Sequence, residues 1–303
     1  MRVNEVTAAA IAGGAAAFGA AETNHQLGIT RVLIISLQDD SKRREHMRRQ
    51  FQRFPGIHYE FFDAIRIRER SEYPQDYDTR ARRRLFGDDL RPGEVGCYLS
   101  HRELWRQCAE AADDEVWCIL EDDIVLLDDF PRRIRKLTEH RDKWDVVRLM
   151  ELIPRRGSWT YTELDREHAL RAYDRQPSGM QGYLLKPAAA RRLLPHASRI
   201  VWPIDETLDL YWEHKLRLYT VTPAAVDLEP SFNSTIGQRS SKRRSKWRKL
   251  QREFINGAHG LQRKLFNLRR YGLSRRPLLA DDETAPDLSG RHKGRSVQTA
   301  TGQ

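Results

Sequence analysis

A short apolar run, Val116-Trp117-Cys118-Ile119-Leu120, stops abruptly at three carboxylates, Glu121-Asp122-Asp123, and no other stretch constrains the chain as much. The run is too short for an independent helix and carries two β-branched residues, so it reads as a buried strand delivering acid to an edge. In an extended segment residues i and i+2 share a face. Glu121 and Asp123 are therefore expected to point together at one cation while Asp122 points away. Oxygen donors spaced acid-x-acid suit Mg²⁺ or Mn²⁺, which take one or two protein carboxylates and complete their shell with water and phosphate oxygens. Taken alone, the triplet reads first as a solvated turn after a buried strand, and the rest of the chain has to shift that balance.

Similar apolar runs recur through the chain, separated by segments of helical period. Val32-Leu33-Ile34-Ile35 is continuous in the manner of a strand buried on both faces, and it ends in a polar loop, residues 36–41, that supplies N-cap residues. Met47, Phe51 and Phe54 then fall at helical spacing, Pro55-Gly56 stops the helix, and a second strand runs from Ile57 to Phe62, ending at Asp63. This strand–helix–strand unit of about thirty residues suits the opening of a doubly wound nucleotide-binding domain. Neither GxGxxG nor GxxxxGK[ST] follows the strand, which disfavours a dinucleotide site and a P-loop. Residues 66–92 read as an Arg-rich surface loop with Arg80, Arg82, Arg83 and Arg84 clustered.

Gly93 to His101 leads into Leu104, Trp105 and Cys108 at helical spacing, and its paired glycines permit a close approach to a ligand or another element. His101 by itself reads as a satisfied core residue. Further helices are expected from Asp128-Asp129-Phe130-Pro131, from Pro187 to Leu194, and from Trp202 through Trp212. Further strands are expected at Trp144 to Leu149, at Gly179 to Leu185, entered through its glycines, and last at Leu216 to Val221, with a polar, aromatic-containing stretch before Tyr173. The alternation predicts one α/β domain over residues 30–238 with a mainly parallel central sheet.

Charge narrows the partners. Of the net +10, residues 239–276 carry fourteen Lys or Arg against Glu253 alone, so that segment holds +13 and everything else together −3. The basicity belongs to a tail, and nucleic-acid binding through it is a weak alternative that leaves the acidic edge unexplained. In the tail Trp247, Leu250, Phe254, Ala258, Leu261, Leu265 and Leu268 form one apolar stripe, the pattern of a basic amphipathic helix on an anionic membrane surface. Docking on the domain, binding a partner, or partial disorder at Gly257 and Gly260 are the other readings. Residues 1–28, Ala/Gly-rich, read as a disordered leader with a signal peptide as runner-up, and residues 277–303 as a disordered C-terminus. Three cysteines without a CxxC pair imply a reducing compartment, buried thiols, and neither a disulfide nor a zinc site.

Several stretches together resemble glycosyltransferase family 25: ISLQDDSKRRE, GEVGCYLSH, ILEDD, GMQGYLLKPAAARRLL, PIDETLD and SFNSTIGQR, in that order over roughly residues 30 to 240. The resemblance implies a GT-A-type nucleotide-sugar-binding fold and an inverting, metal-dependent transfer from a UDP-sugar, UDP-galactose, to a lipid-linked or surface glycan. It places the acidic element of such enzymes on Glu121, Asp122 and Asp123. Glu121 and Asp123 would hold Mn²⁺ or Mg²⁺, and Asp122 would pack back or touch ribose. Asp205, then Glu206, are the candidate bases, sited at a helix start that favours anions. The donor side is expected from Ser36, Arg43, Arg44, Asp63, Ser100 and His101, and the sugar site wall from Gly179, Gln181, Gly182 and Tyr183. The implied location is cytoplasmic, peripheral at the inner membrane where the tail engages lipid. A catalytically silent glycan-binding or scaffold protein on the same fold is the alternative.

Overall fold

The computed structural model describes residues 23–155, 157–232 and 246–272, with side chains from 257 onward in the last stretch. The strands are β1 (Arg31–Ser36), β2 (Glu60–Asp63), β3 (Trp117–Glu121), β4 (Ile124–Leu126), β5 (Val146–Arg148), β6 (Ser158–Glu163), β7 (Ala169–Tyr173), β8 (Gly182–Leu185), β9 (Leu218–Thr222) and β10 (Val226–Leu228). The helices are α1 (Ser41–Gln52), α2 (Thr79–Phe86), α3 (Pro92–Ala109), α4 (Phe130–Glu139), α5 (Pro187–Leu193), α6 (Ile204–Asp209), α7 (Tyr211–His214) and α8 (Lys246–Tyr271).

Eight strands form one sheet in the order β2-β1-β3-β8-β5-β9-β7-β6, and β4 pairs with β10 in a small second sheet. The pairs β1–β2, β1–β3 and β5–β9 are parallel, whereas β3–β8, β5–β8, β7–β9 and β6–β7 are antiparallel. The sheet is therefore mixed rather than mainly parallel: β8 and β7 run against the other six strands. Each reversed strand lies between strands of the opposite direction, so it converts two pairings at once.

Alternation along the strands divides the core into two layers. Val32, Ile34, Cys118, Leu120, Val147 and Leu184 face one layer, with α1 and α4 packed on it. Leu33, Ile35, Ile119, Val146, Tyr183 and Leu185 face the other, against α3 and α5. Burial on both sides explains the continuous apolar runs. About 25 cal/mol per Å² of apolar surface removed from water is the dominant stabilising term.

Local chemistry fixes the element ends. Asp40 caps α1 by accepting from Arg43 N at 3.0 Å, and Pro92 opens α3 with Glu94 reaching back to Arg91 N at 2.8 Å. Gly96 is required where α3 meets the chain after β2, since a Cβ there would lie 2.5 Å from Ile65 O. Ser100 Oγ fastens the same crossing, accepting from Ile65 N and donating to Gly96 O, each at 2.8 Å.

Other expectations change as well, and the helix expected from Trp202 through Trp212 is two short ones, α6 and α7. The stretch 66–92 contains α2, and the polar stretch before Tyr173 is the β6–β7 hairpin. The last strand of the domain is β10 rather than β9. Residues 23–28 of the expected leader are folded: Leu27 is buried and its carbonyl accepts from Thr138 Oγ1 at 2.6 Å. The remainder of that leader, residues 233–245 and 277–303 lie outside the described residues. The chain's α8 docks on the domain by one face, through Phe266 on Tyr211, Asn267 Nδ2 to Tyr211 Oη at 2.7 Å, and Tyr271 on Trp159. Leu261, Leu265 and Leu268, at 61%, 46% and 44% exposure, face outward. Among the described residues no helix is long and apolar enough to cross a membrane.

Candidate active site

The acidic turn joins β3 of the large sheet to β4 of the small one, and it is held from both sides. Glu121 N donates to Gln181 O at 2.8 Å, and Asp123 O accepts from Glu229 N at 2.9 Å. β3 ends at Glu121, and Asp122 and Asp123 form the turn before β4, so the pinned turn sets their side-chain directions. Glu121 and Asp123 line a cavity of about 900 Å³. Asp122 turns into the protein, where Arg43 Nη1 donates to its Oδ1 at 2.6 Å.

Burial and the Glu121 carboxylate push the Asp123 carboxyl up to about 7, with Arg43 opposing. Asp123 Oδ1 is buried without a hydrogen-bond partner, as is Gln181 Oε1 in the same wall. An orphaned carboxylate oxygen beside a second acid is a donor set that a hard divalent cation satisfies. The residues present thus fit Mn²⁺ or Mg²⁺ at Glu121 and Asp123.

The rest of the cavity comes from three quarters. The short helix α6 brings Asp205 and Glu206 in its first turn and Asp209 in its last. The 175–181 segment brings Arg175, Gln176, Gly179 and Gln181, with Gly179 at φ +91° and no room for a Cβ against Gln181 Oε1. Trp202, Trp212 and the α8 residues His259 and Arg263 close the aromatic end, with the His259 ring 5.6 and 5.7 Å from Trp202 and Trp212.

Beneath this wall Arg148 is buried on β5, donating to Asp209 Oδ1 at 2.6 Å, Gly179 O at 3.0 Å and Gln176 Oε1 at 3.3 Å. Burial raises the Asp209 carboxyl above its ordinary value, and Arg148 works against that rise.

Of the residues expected at the site, Glu121, Asp123, Gly179, Gln181, Asp205 and Glu206 meet in the cavity. Others are placed elsewhere, and the reasons are physical. Tyr183 does not offer its ring to a sugar: it is 1% exposed in the core, where its hydroxyl accepts from Trp105 Nε1 at 2.9 Å and lies 3.0 Å from His101 Nδ1. Gly182 is a buried strand residue paired with Leu120. Ser100 is consumed by the Gly96–Ile65 crossing, and Ser36 is buried at the end of β1. Arg43 belongs to Asp122 and Arg44 to Asp63, with Arg44 also donating to Leu37 O and Ser36 O, each at 3.1 Å. His101 is fully buried, yet its Nε2 reaches Glu121 Oε1 at 3.2 Å from behind.

Four contributors went unnoticed in the sequence. Arg148 had a readable signal, a cation inside an apolar strand that must find a buried partner. Cys97, expected as an inert thiol, lines the cavity with its Sγ 3.7 Å from Glu121 Oε1. His259 and Arg263 reach the cavity only through the docking of α8, a long-range event with no local signature.

The family model described as Glycosyltransferase family 25 (LPS biosynthesis protein) matches residues 29–208. A "Glycosyltransferase 25 family member" of Aedes aegypti is 24% identical over 62% of this chain and 32% of its own length. The "Lipooligosaccharide biosynthesis protein lic2B" of Haemophilus influenzae is 32% identical over 31% of this chain and 33% of its own. An "Inactive glycosyltransferase 25 family member 3" of Mus musculus is 27% identical over 42% of this chain and 22% of its own. The chain thus spans a third or less of the length of these curated relatives.

Proposed function

The chain belongs to glycosyltransferase family 25, and on that premise we propose that it is an inverting, metal-dependent transferase moving galactose from UDP-galactose to a lipooligosaccharide, lipopolysaccharide or other surface glycan. The observation that carries this reading is the pair Glu121 and Asp123 at the cavity wall, with Asp123 Oδ1 unpartnered. The pair lies beyond the carboxyl end of a strand, where open α/β sheets bind ligands.

In this reading Glu121 and Asp123 hold Mn²⁺ or Mg²⁺, which when bound supplies positive charge to the departing diphosphate. Gly179 and Gln181 wall the donor sugar. Asp205 takes the proton of the acceptor hydroxyl as that oxygen bonds to the anomeric carbon and the bond to UDP breaks on the opposite face; Glu206 is the second candidate. The enzyme works at the cytoplasmic face of the inner membrane, with the exposed Leu261, Leu265 and Leu268 and the neighbouring Lys264 and Arg269 toward anionic lipid.

A catalytically silent glycan-binding protein is the second reading, since a relative bears the name inactive. The intact acidic pair favours activity. A thermal-shift and donor-hydrolysis screen of UDP-sugars with Mn²⁺ or Mg²⁺ separates the two: binding without turnover for any donor favours the silent protein.

A further inference from the structure

Cys97 and His101 stand four residues apart on α3 and so share one helix face. Glu121 meets that face from the end of β3. The donor atoms of the three residues lie within 4.8 Å of one another, with Cys97 Sγ 3.7 Å and His101 Nε2 3.2 Å from Glu121 Oε1. Bonds of roughly 2.0–2.3 Å to a tetrahedral zinc ion place its ligands about 3.2–3.8 Å apart, so both measured pairs already have that spacing.

We propose that Cys97, His101 and Glu121 form a binding site for a thiophilic divalent cation of the Zn²⁺ class, distinct in chemistry from the all-oxygen pair Glu121 and Asp123.

Three further features fit. Thiolate, imidazole and one carboxylate select Zn²⁺ over Mg²⁺ or Mn²⁺, which favour oxygen. Cys97 and Glu121 line the cavity, leaving an open fourth position toward it, as in zinc sites that accept water or substrate. The ring of His101 is held from behind by Tyr183 Oη, which also accepts from Trp105 Nε1. That hydroxyl can donate to Nδ1 while Nε2–H serves Glu121, or accept from Nδ1–H while Nε2 binds an ion. A buried outer partner of this kind orients a ligating histidine. Binding displaces one proton, that of the Cys97 thiol, to solvent. Glu121 belongs to both ion sets, so on the transferase reading of the preceding section Zn²⁺ inhibits.

The test is titration of metal-free full-length protein with Co²⁺, following the thiolate-to-cobalt charge-transfer absorption in the near ultraviolet. The expected result is a band saturating at one equivalent per chain, removed by Zn²⁺, lost in Cys97→Ser, and kept in Cys108→Ala and Asp123→Asn. Absence of the band in the wild-type protein, or its survival in Cys97→Ser, overturns the site. Should Cys97→Ser fail to fold, alkylation of the wild-type protein decides: Zn²⁺ protects Cys97 from iodoacetamide if the site exists, and equal labelling with and without Zn²⁺ refutes it. Asp123→Asn separates the two readings, because loss of sugar transfer with the cobalt band intact bears on the transferase alone.

Discussion

Arg43 Nη1 lies 2.6 Å from Asp122 Oδ1 and 3.7 Å from Asp123 Oδ2, and its Nε 3.7 Å from Asp40 Oδ2, so one buried guanidinium answers three acids unequally. Asp122 receives the hydrogen-bonded share. Asp123, buried beside Glu121, keeps only the longer contact, and its carboxyl rises to about 7.

That imbalance has a consequence for stability. A folded-state value above the unfolded one means that the unfolded chain releases the Asp123 proton first, so stability is lost as pH rises from about 4 through 7. Asp123→Asn removes the ionisable group. The metal-free variant is expected to be more stable than wild type at pH 8, by no more than about 4 kcal/mol, with the gap closing toward pH 4. Melting curves across that range check it; a constant difference would contradict the coupling.

Arg148 supports the opposite wall. Arg148→Met leaves Asp209 without its cation and releases Gly179 O and Gln176 Oε1 together. Urea unfolding should show a loss of about 3–5 kcal/mol, as for breaking a buried ion pair from one side. The double variant Arg148→Met, Asp209→Leu should recover part of that loss. Additive losses would mean that the two residues are not coupled.

The sheet was legible where both sides of a strand are apolar, as in Val32–Ile35 and Val116–Leu120, because runs this short and rich in β-branched residues suit a buried strand better than a helix. The division between Asp122 and its neighbours follows the alternation expected from the sequence, although the turn after β3, not the strand itself, carries Asp122 and Asp123. Parity also disposes of Tyr183 as a sugar platform: it pairs with Ile119 and shares that residue's core face. This required the register, which no single sequence shows. Helix α2 was missed because the side chain it buries is Arg82, stacked 3.9 Å over Phe86, and a run of arginines reads as solvated loop. The tail's stripe was visible, but Leu261, Leu265 and Leu268 point outward while a second face docks.

The assignment of proton transfer rests on Asp205. Asp205→Asn should lower kcat about 10²–10⁴-fold while leaving donor affinity close to wild type, and Glu206→Gln should cost far less. An Asp205→Asn enzyme with unchanged kcat would place the base elsewhere.

The outward face of α8 is open to a direct test. Replacing Leu261, Leu265 and Leu268 by Gln should hardly alter folding, because all three are exposed. Flotation with anionic vesicles should fall sharply, with basic residues contributing about 1 kcal/mol each to lipid attraction. Equal flotation of variant and wild type would remove lipid binding from this helix.

Whether Glu121 and Asp123 hold the cation a sugar transfer needs is decided by UDP-galactose turnover with Mn²⁺. Wild type should turn over, lose activity in EDTA and regain it on adding Mn²⁺, while folded Asp123→Ala stays inactive at every Mn²⁺ concentration. Wild-type rates in EDTA, or in Asp123→Ala, would contradict that assignment.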